Sequence, residues 1–131
     1  MRMLMKKAVM ALAMLMSAPQ ANAQDIAAGE KVFLQCRACH QVGSSAKNAV
    51  GPILNGLFGR KSGTVAGYAY SSGNKDAAIV WDEIVFSEYI KDPRGKIPGT
   101  KMSYAGLKDE KRIGDLIAFL KQYDDAGNTA K

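Results

Sequence analysis

The chain has few side chains that can bind a metal or a cofactor. It contains two cysteines and one histidine among 131 residues, and six of its seven methionines lie within the first 16 residues. That N-terminal segment has the features of a cleaved leader, so the mature chain keeps one histidine and one methionine. A structural zinc site needs four nitrogen or sulfur ligands, and the mature chain is one ligand short of it.

The chain also lacks a long hydrophobic run. Residues 8–16 form its most apolar stretch, which is much shorter than the ~20 residues that a helix needs to span a bilayer. Three basic residues precede this stretch, and the small-residue sequence Ala21-Asn22-Ala23 follows it, a pattern typical of a secretory signal peptide. We expect residues 1–23 to be removed and residues 24–131 to form one domain in a bacterial periplasm, without stable membrane insertion.

The sequence Cys36-Arg37-Ala38-Cys39-His40 carries the most specific chemical signal in the chain. A Cys-x-x-Cys-His run is typical of the covalent attachment of haem c. On one helical turn the two thiols can reach the two vinyl groups of a single porphyrin and form thioethers. The histidine that follows would then lie beneath the iron.

Two other interpretations of this motif are a thioredoxin-like exchanger and a plain disulfide. A thioredoxin-like exchanger carries its Cys-x-x-Cys after a strand of a βαβ unit, and no strand pattern precedes Cys36. A plain disulfide between Cys36 and Cys39 remains open, although it would close a very short loop and leave His40 without a role.

Helical signals appear in three segments, and no alternating strand pattern competes with them. The first follows Asp25, a residue suited to cap a helix, and places Ile26, Gly29, Val32 and Phe33 on one face. Glycine costs a helix roughly 0.5–1 kcal/mol relative to alanine. Gly29 is therefore either tolerated near the helix start or needed for a close crossing of the last helix, and we favour the close crossing.

The other two helical segments lie in the second half of the chain. One begins near Asp82 and ends at Pro93, with an apolar face formed by Ile84, Val85, Tyr89 and Ile90. The other begins after Asp109, and its apolar residues recur at intervals of three and four: Ile113, Leu116, Ile117 and Leu120, with Phe119 beside them. Residues 41–69 contain six glycines and sustain no period. The sequence therefore predicts an all-α fold of three main helices and long loops.

Met102 is the one methionine outside the leader, and it ends the Pro/Gly-rich sequence of residues 98–102. This position is not a helical face of the kind where methionine usually fills a core. A thioether on a haem iron closes the site and raises the reduction potential, whereas an open iron binds small molecules. We expect Met102 to be the second axial ligand, opposite His40, with Lys101 or no sixth ligand as the alternative.

Taken together, these features resemble the class I c-type cytochromes, specifically the soluble bacterial relatives of mitochondrial cytochrome c. The resemblance extends from Gly29 to Tyr123. It depends on five motifs in the same order: Cys36-Arg37-Ala38-Cys39-His40, Gly51-Pro52, Gly56-Leu57-Phe58-Gly59-Arg60, Trp81, and Pro98-Gly99-Thr100-Lys101-Met102. It implies the cytochrome c fold around one covalently bound haem c, attached through Cys36 and Cys39, with His40 and Met102 as the axial iron ligands.

The resemblance also implies roles for other side chains. The carbonyl of Pro52 would accept a hydrogen bond from the second ring nitrogen of His40. Three residues would neutralise or hydrogen-bond a haem propionate: Arg60, Tyr70 and Trp81. Three polar residues would surround the methionine and tune the potential: Asn74, Tyr89 and Thr100. From sequence alone, each of these is also compatible with an ordinary turn, core or surface position.

The function implied by the resemblance is electron transfer, not enzymatic catalysis. We expect a soluble periplasmic carrier that is a monomer and binds no nucleic acid. Its donor would be a quinol-oxidising cytochrome complex, and its acceptor a terminal oxidase, a reductase or a photosynthetic reaction centre. Two hypotheses from other classes remain: a haem enzyme or gas sensor in which Met102 does not bind the iron, and a redox-active dithiol protein without haem.

The charge of the mature chain bears on how such partners would dock. Three of the 18 basic residues lie in the leader, so 15 basic residues face 12 acidic ones and the formal charge is +3. Candidates for a basic rim around the haem edge are Lys31, Lys47, Arg94, Lys101 and Lys108. The alternative is a scatter of solvated charges, because +3 is small for the fields that accelerate association.

Overall fold

Five helices follow one another in the computed structural model, which describes residues 25–129. The helices are α1 (Ile26–Phe33), α2 (Ser72–Asp76), α3 (Glu83–Lys91), α4 (Pro93–Lys96) and α5 (Glu110–Lys121). Within the described residues, extended pairing is limited to two isolated bridges, Lys61 with Val80 and Tyr123 with Thr129. The predicted all-α class with long loops is confirmed. The predicted leader and its cleavage site lie outside the described residues.

Aspartate side chains start the three predicted helices. The carboxylates of Asp25, Asp82 and Asp109 each accept a hydrogen bond from the backbone N–H three residues later, at 3.1, 2.7 and 2.8 Å. Such a cap satisfies one of the donors that the first helical turn leaves free. The starts of α1, α3 and α5 are therefore where the sequence predicts them.

Other details of the helices differ from expectation. Pro93 was expected only to end a helix, but α3 stops at Lys91 and Pro93 opens α4, where a missing N–H costs nothing. The short helix α2 was not predicted, because its sequence has no apolar stripe. Ile26 and Ile84 belong to the apolar sets of the predicted helices, yet their exposed fractions are 48% and 73%.

The closest helix crossing in the described chain joins α1 to α5. A Cβ atom added to Gly29 would lie 1.9 Å from the backbone oxygen of Asp115 and 2.8 Å from Cβ of Phe119. Next to this point the rings of Phe33 and Phe119 are 5.1 Å apart between centroids. The close crossing proposed for Gly29 is confirmed, since any side chain there would separate the helices.

Asp115 adds a polar tie at the same crossing. Its side chain is buried, with Oδ1 accepting from the backbone N–H of Asp25 at 2.9 Å and both oxygens accepting from Lys111 Nζ at 2.8 Å. The hydrogen bond from Lys111, and to a smaller extent the one from the Asp25 amide, lower the pKa of the Asp115 carboxyl below its ordinary value. The start of α1 is thereby bound to the middle of α5.

The core lies between the helices and the long loops, and much of it faces a central cavity. Eight buried side chains belong both to the core and to the cavity wall: Phe33, Leu57, Trp81, Phe86, Tyr89, Ile90, Leu116 and Leu120. In residues 25–129 no helix is both long enough and apolar enough to cross a membrane.

Replacing Gly29 by alanine tests the crossing. Helix propensity alone predicts a gain of roughly 0.5–1 kcal/mol, whereas the clash with Asp115 and Phe119 predicts a loss of about 1–3 kcal/mol, typical of overpacking. We expect the loss, measured by denaturant unfolding of the haem-loaded protein.

The matched control is Ala27→Gly at an exposed position of the same helix. It should cost about 1 kcal/mol through propensity only. A Gly29→Ala protein that is more stable than the wild type would show that the crossing can relax at no cost.

Candidate haem-binding site

A cavity of about 400 Å³ lies at the centre of the described chain. Its wall brings together ten of the residues predicted from sequence: Cys36, Cys39, His40, Pro52, Arg60, Tyr70, Asn74, Trp81, Tyr89 and Met102. Thr100 was predicted with them but does not line the cavity. It lies behind the wall, where its hydroxyl is within hydrogen-bond distance of three wall residues, Asn74, Tyr89 and Met102.

The paired cysteines lie on a turn that continues α1. The backbone N–H groups of Cys39 and His40 donate to the carbonyl of Cys36 at 3.1 and 2.9 Å. The N–H of Cys36 donates to the carbonyl of Phe33 at 2.8 Å. This winding turns both thiols, which are free and half-buried, toward the cavity. Because Phe33 is anchored against α5, the turn is fixed relative to the core.

The acidity of the cysteines bears on the dithiol hypothesis. Burial, and then the neighbouring Cys39, raise the pKa of the Cys36 thiol to about 11. Thiol-disulfide exchangers work with cysteines whose pKa is lowered, because the thiolate is the nucleophile. The environment of Cys36 is the opposite of the one that such chemistry requires.

His40 is held from behind by the loop that follows it. Nδ1 donates to the backbone oxygen of Pro52 at 2.8 Å, which leaves Nε2 as the ring nitrogen for a metal. A Cβ atom on Gly51 would lie 2.4–2.8 Å from three atoms of the ring, so a glycine is needed for the loop to pack there. Burial lowers the pKa of His40. The hydrogen bond to the Pro52 carbonyl raises this pKa and the charge of Arg60 lowers it, and the net effect is a lowered pKa. The ring is therefore neutral at pH 7.

Met102 is held by hydroxyl groups. The Tyr89 hydroxyl donates to Met102 Sδ at 3.1 Å. Thr100 Oγ1 accepts from the backbone N–H of Met102 and from Asn74 Nδ2, both at 3.3 Å. The three polar residues that the sequence grouped around the methionine therefore form one connected network with it. Burial raises the pKa of Tyr89, so its hydroxyl remains a donor at neutral pH.

Arg60, Tyr70 and Trp81 also line the cavity. Arg60 Nη1 donates to the backbone oxygens of Ile53 and Asn55 at 3.1 and 3.2 Å, which ties the guanidinium to the loop after His40. The Tyr70 hydroxyl accepts from a backbone N–H at 3.0 Å. Trp81 is 8% exposed and its ring meets that of Tyr89 edge to face, with centroids 4.9 Å apart. Guanidinium, hydroxyl and indole groups therefore share one cavity wall.

Sequence reasoning missed two residues of the loops around His40. Asn48 Oδ1 accepts from the backbone N–H of Ile53 at 2.9 Å, and its Nδ2 donates to Ala66 O at 3.0 Å. Tyr68 lines the cavity, and its hydroxyl donates to Val50 O at 2.7 Å. Both residues join the loop after the haem motif to residues 61–70. Their sequence surroundings contain no period or motif that would separate them from surface residues.

The five basic residues considered for docking are all exposed. Only Lys101 lines the cavity, and its Nζ donates to Ala69 O at 2.9 Å. Lys108 Nζ donates to Lys91 O at 2.9 Å. Within the described chain none of the five lies within ion-pairing distance of a carboxylate, unlike Lys91, which pairs with Glu110.

The donor set of the cavity fits a haem. Two thiols three residues apart on a turn, an imidazole nitrogen and a thioether sulfur all face one space with largely apolar walls. Imidazole and thioether are the axial ligands of electron-carrying haems. In residues 25–129 no group of three His, Cys, Asp or Glu side chains is arranged to hold a bare metal ion.

Comparison with known proteins agrees with this geometry. The family model described as Cytochrome c matches residues 26–124. Cytochrome c2 of Blastochloris viridis is 57% identical over 125 residues, which are 95% of this chain and 98% of that protein. Cytochrome c of the plant Cannabis sativa is 48% identical over 104 residues, covering 79% and 94% of the two chains.

A solved structure agrees as well. Cytochrome cH from Methylobacterium extorquens superposes with a TM-score of 0.70 at 45% identity, covering 74% of this chain and 97% of that one. The chain therefore belongs to the cytochrome c family, whose members are electron-transfer proteins, not enzymes, and bind an iron-containing haem c covalently.

Proposed function

We propose that this protein is a soluble periplasmic carrier that moves one electron at a time through a haem c whose iron is ligated by His40 and Met102. The observation that supports it best is that both side chains line the same cavity. Each is held from behind by the chain, His40 by Pro52 and Met102 by Tyr89. The paired thiols of Cys36 and Cys39 would be the covalent attachment points.

The bound haem supplies a one-electron couple between ferrous and ferric iron. The chain contributes rigidity. Ligands that stay in place during electron transfer keep the structural reorganisation small. The Pro52 carbonyl fixes the His40 ring in one tautomer and orientation. The Tyr89 hydroxyl and the Thr100 hydroxyl fix the sulfur and the backbone of Met102.

Further residues are proposed to hold the haem by its polar edge. Arg60, Tyr70 and Trp81 would neutralise or hydrogen-bond a propionate, since a buried carboxylate needs a charged or donating partner. Asn74 would act on the methionine side through Thr100, to which its amide donates at 3.3 Å. These assignments follow the placement of each polar group in the cavity wall or directly behind it.

The proposed partners are membrane complexes of respiration or photosynthesis. A quinol-oxidising cytochrome complex would donate electrons, and a terminal oxidase, a reductase or a reaction centre would accept them. Five exposed basic residues have no carboxylate within ion-pairing distance in residues 25–129, and they would guide acidic surfaces toward the cavity: Lys31, Lys47, Arg94, Lys101 and Lys108. Residues 1–23 would serve as the signal peptide and residues 24–131 as the working domain.

Absorption spectroscopy of protein purified from the periplasmic fraction tests the proposal directly. We expect a low-spin haem c spectrum with the weak far-red band of a sulfur-to-iron bond. The measured mass should equal that of a chain starting at Gln24 plus one haem. A high-spin spectrum would favour a haem enzyme or gas sensor instead. A protein without a Soret band would favour the dithiol hypothesis.

Replacing Met102 by alanine tests the sixth ligand. Loss of the thioether should lower the reduction potential by on the order of 0.1 V, a fraction of the roughly 0.8 V that axial ligands span. It should also open the iron to added azide or carbon monoxide, which titration by absorbance measures. Ser45→Ala, at an exposed position outside the cavity wall, is the control and should change neither property. An unchanged far-red band in the Met102 variant would remove this residue from the site.

Replacing Tyr89 by phenylalanine tests how the ligand is tuned. A hydrogen bond to the sulfur withdraws electron density and favours ferrous iron. Its loss is worth about 0.5–1.5 kcal/mol, which corresponds to a fall of roughly 20–60 mV in a one-electron potential. Tyr123→Phe, a tyrosine outside the cavity wall, is the control for protein voltammetry. A potential that rises or stays constant in the Tyr89 variant would contradict the assignment.

A further inference from the structure

We propose that Asn48 is a positioning residue for the axial histidine and acts through a single peptide group, a step that depends on the proposed ligation of the iron by His40. The peptide group is the one between Pro52 and Ile53. Its two polar ends face two different side chains, and only one of these was expected from the sequence.

The geometry connects the three groups in a row. The carbonyl of Pro52 accepts from His40 Nδ1 at 2.8 Å, and the N–H of Ile53 donates to Asn48 Oδ1 at 2.9 Å. These atoms belong to the same planar amide, in which the carbonyl and the N–H share one delocalised system. Asn48 and His40 therefore bind opposite ends of one dipole.

A second contact fixes the orientation of the Asn48 amide. Its Nδ2 donates to the backbone oxygen of Ala66 at 3.0 Å. A reversed side chain would direct its NH₂ group at the N–H of Ile53 and its oxygen at the carbonyl of Ala66, so both hydrogen bonds would be lost. The acceptor oxygen is thus held toward the peptide that supports His40.

Hydrogen bonds in a row polarise one another. An acceptor on the N–H of Ile53 draws electron density toward the Pro52 oxygen, which makes that oxygen a stronger acceptor for the His40 N–H. A stronger hydrogen bond at Nδ1 increases the basicity of the ring and its donation through Nε2. Stronger donation favours ferric iron, so Asn48 should lower the reduction potential.

A purely structural role is the competing explanation, because Asn48 also ties the loop to residues 61–70. Asn55 provides a matched control in the same loop. Its side chain also makes two hydrogen bonds to backbone, to the N–H and the carbonyl of Gly43, both at 2.9 Å. In the described structure its side chain hydrogen-bonds neither to His40 nor to the peptide group between Pro52 and Ile53, and it does not line the cavity.

The experiment compares Asn48→Ala and Asn55→Ala in the haem-loaded protein. Proton NMR of the ferrous state reads the His40 Nδ1–H resonance, and voltammetry reads the potential. We expect Asn48→Ala to move the resonance upfield and to raise the potential. Asn55→Ala should leave both in place, although both variants should unfold at lower denaturant concentration than the wild type.

A third variant keeps the test decisive if Asn48→Ala folds poorly. Asn48→Asp retains an oxygen acceptor beside the Ile53 N–H and should hold the His40 resonance at or downfield of its wild-type position. The proposal is overturned if Asn48→Ala leaves the resonance and the potential unchanged, or if Asn55→Ala shifts them equally. A wild-type spectrum without the N–H of a ligated imidazole would instead refute the ligation by His40, and with it the proposed function.

Discussion

The close contact between α1 and α5 decides where the two cysteines and His40 lie. Both cysteines and His40 sit on the turn that continues α1, so any change in the position of α1 moves them together. The contact requires Gly29, because the backbone of α5 occupies the space of a side chain. The buried carboxylate of Asp115 adds directional hydrogen bonds to a crossing that van der Waals packing alone would fix less uniquely.

His40 and Met102 are supported by different kinds of groups. His40 is supported by a backbone carbonyl, which no substitution of a side chain can remove directly. Met102 is supported by the hydroxyls of Tyr89 and Thr100, which single substitutions can remove while the fold is kept. Variation among related carriers would therefore change the methionine side more easily. The histidine side can be adjusted only from behind, through groups such as Asn48 that contact the supporting peptide.

The sequence predicted those features that depend on neighbours along the chain. The haem-attachment motif is complete within five residues, and each of the three main helices carries its own aspartate cap and apolar period. The exposure of Ile26 and Ile84 could not be predicted, because it depends on which parts of a helix face find a partner. Asn48 could not be predicted either, since its contacts with Ile53 and Ala66 span 5 and 18 residues of irregular loop. No local pattern specifies such contacts.

The electrostatics of the cavity wall depend on dipoles more than on mobile charges. No aspartate or glutamate is among its described lining residues, and its cations Arg60 and Lys101 both donate to backbone carbonyls. Burial raises the pKa of the lining tyrosines Tyr70, Tyr89 and Tyr104, so their hydroxyls stay protonated at neutral pH. Because oriented dipoles do not titrate, the field that these side chains exert on a bound haem is constant across the neutral range. A carrier whose driving force must not drift with small changes of pH benefits from such a wall.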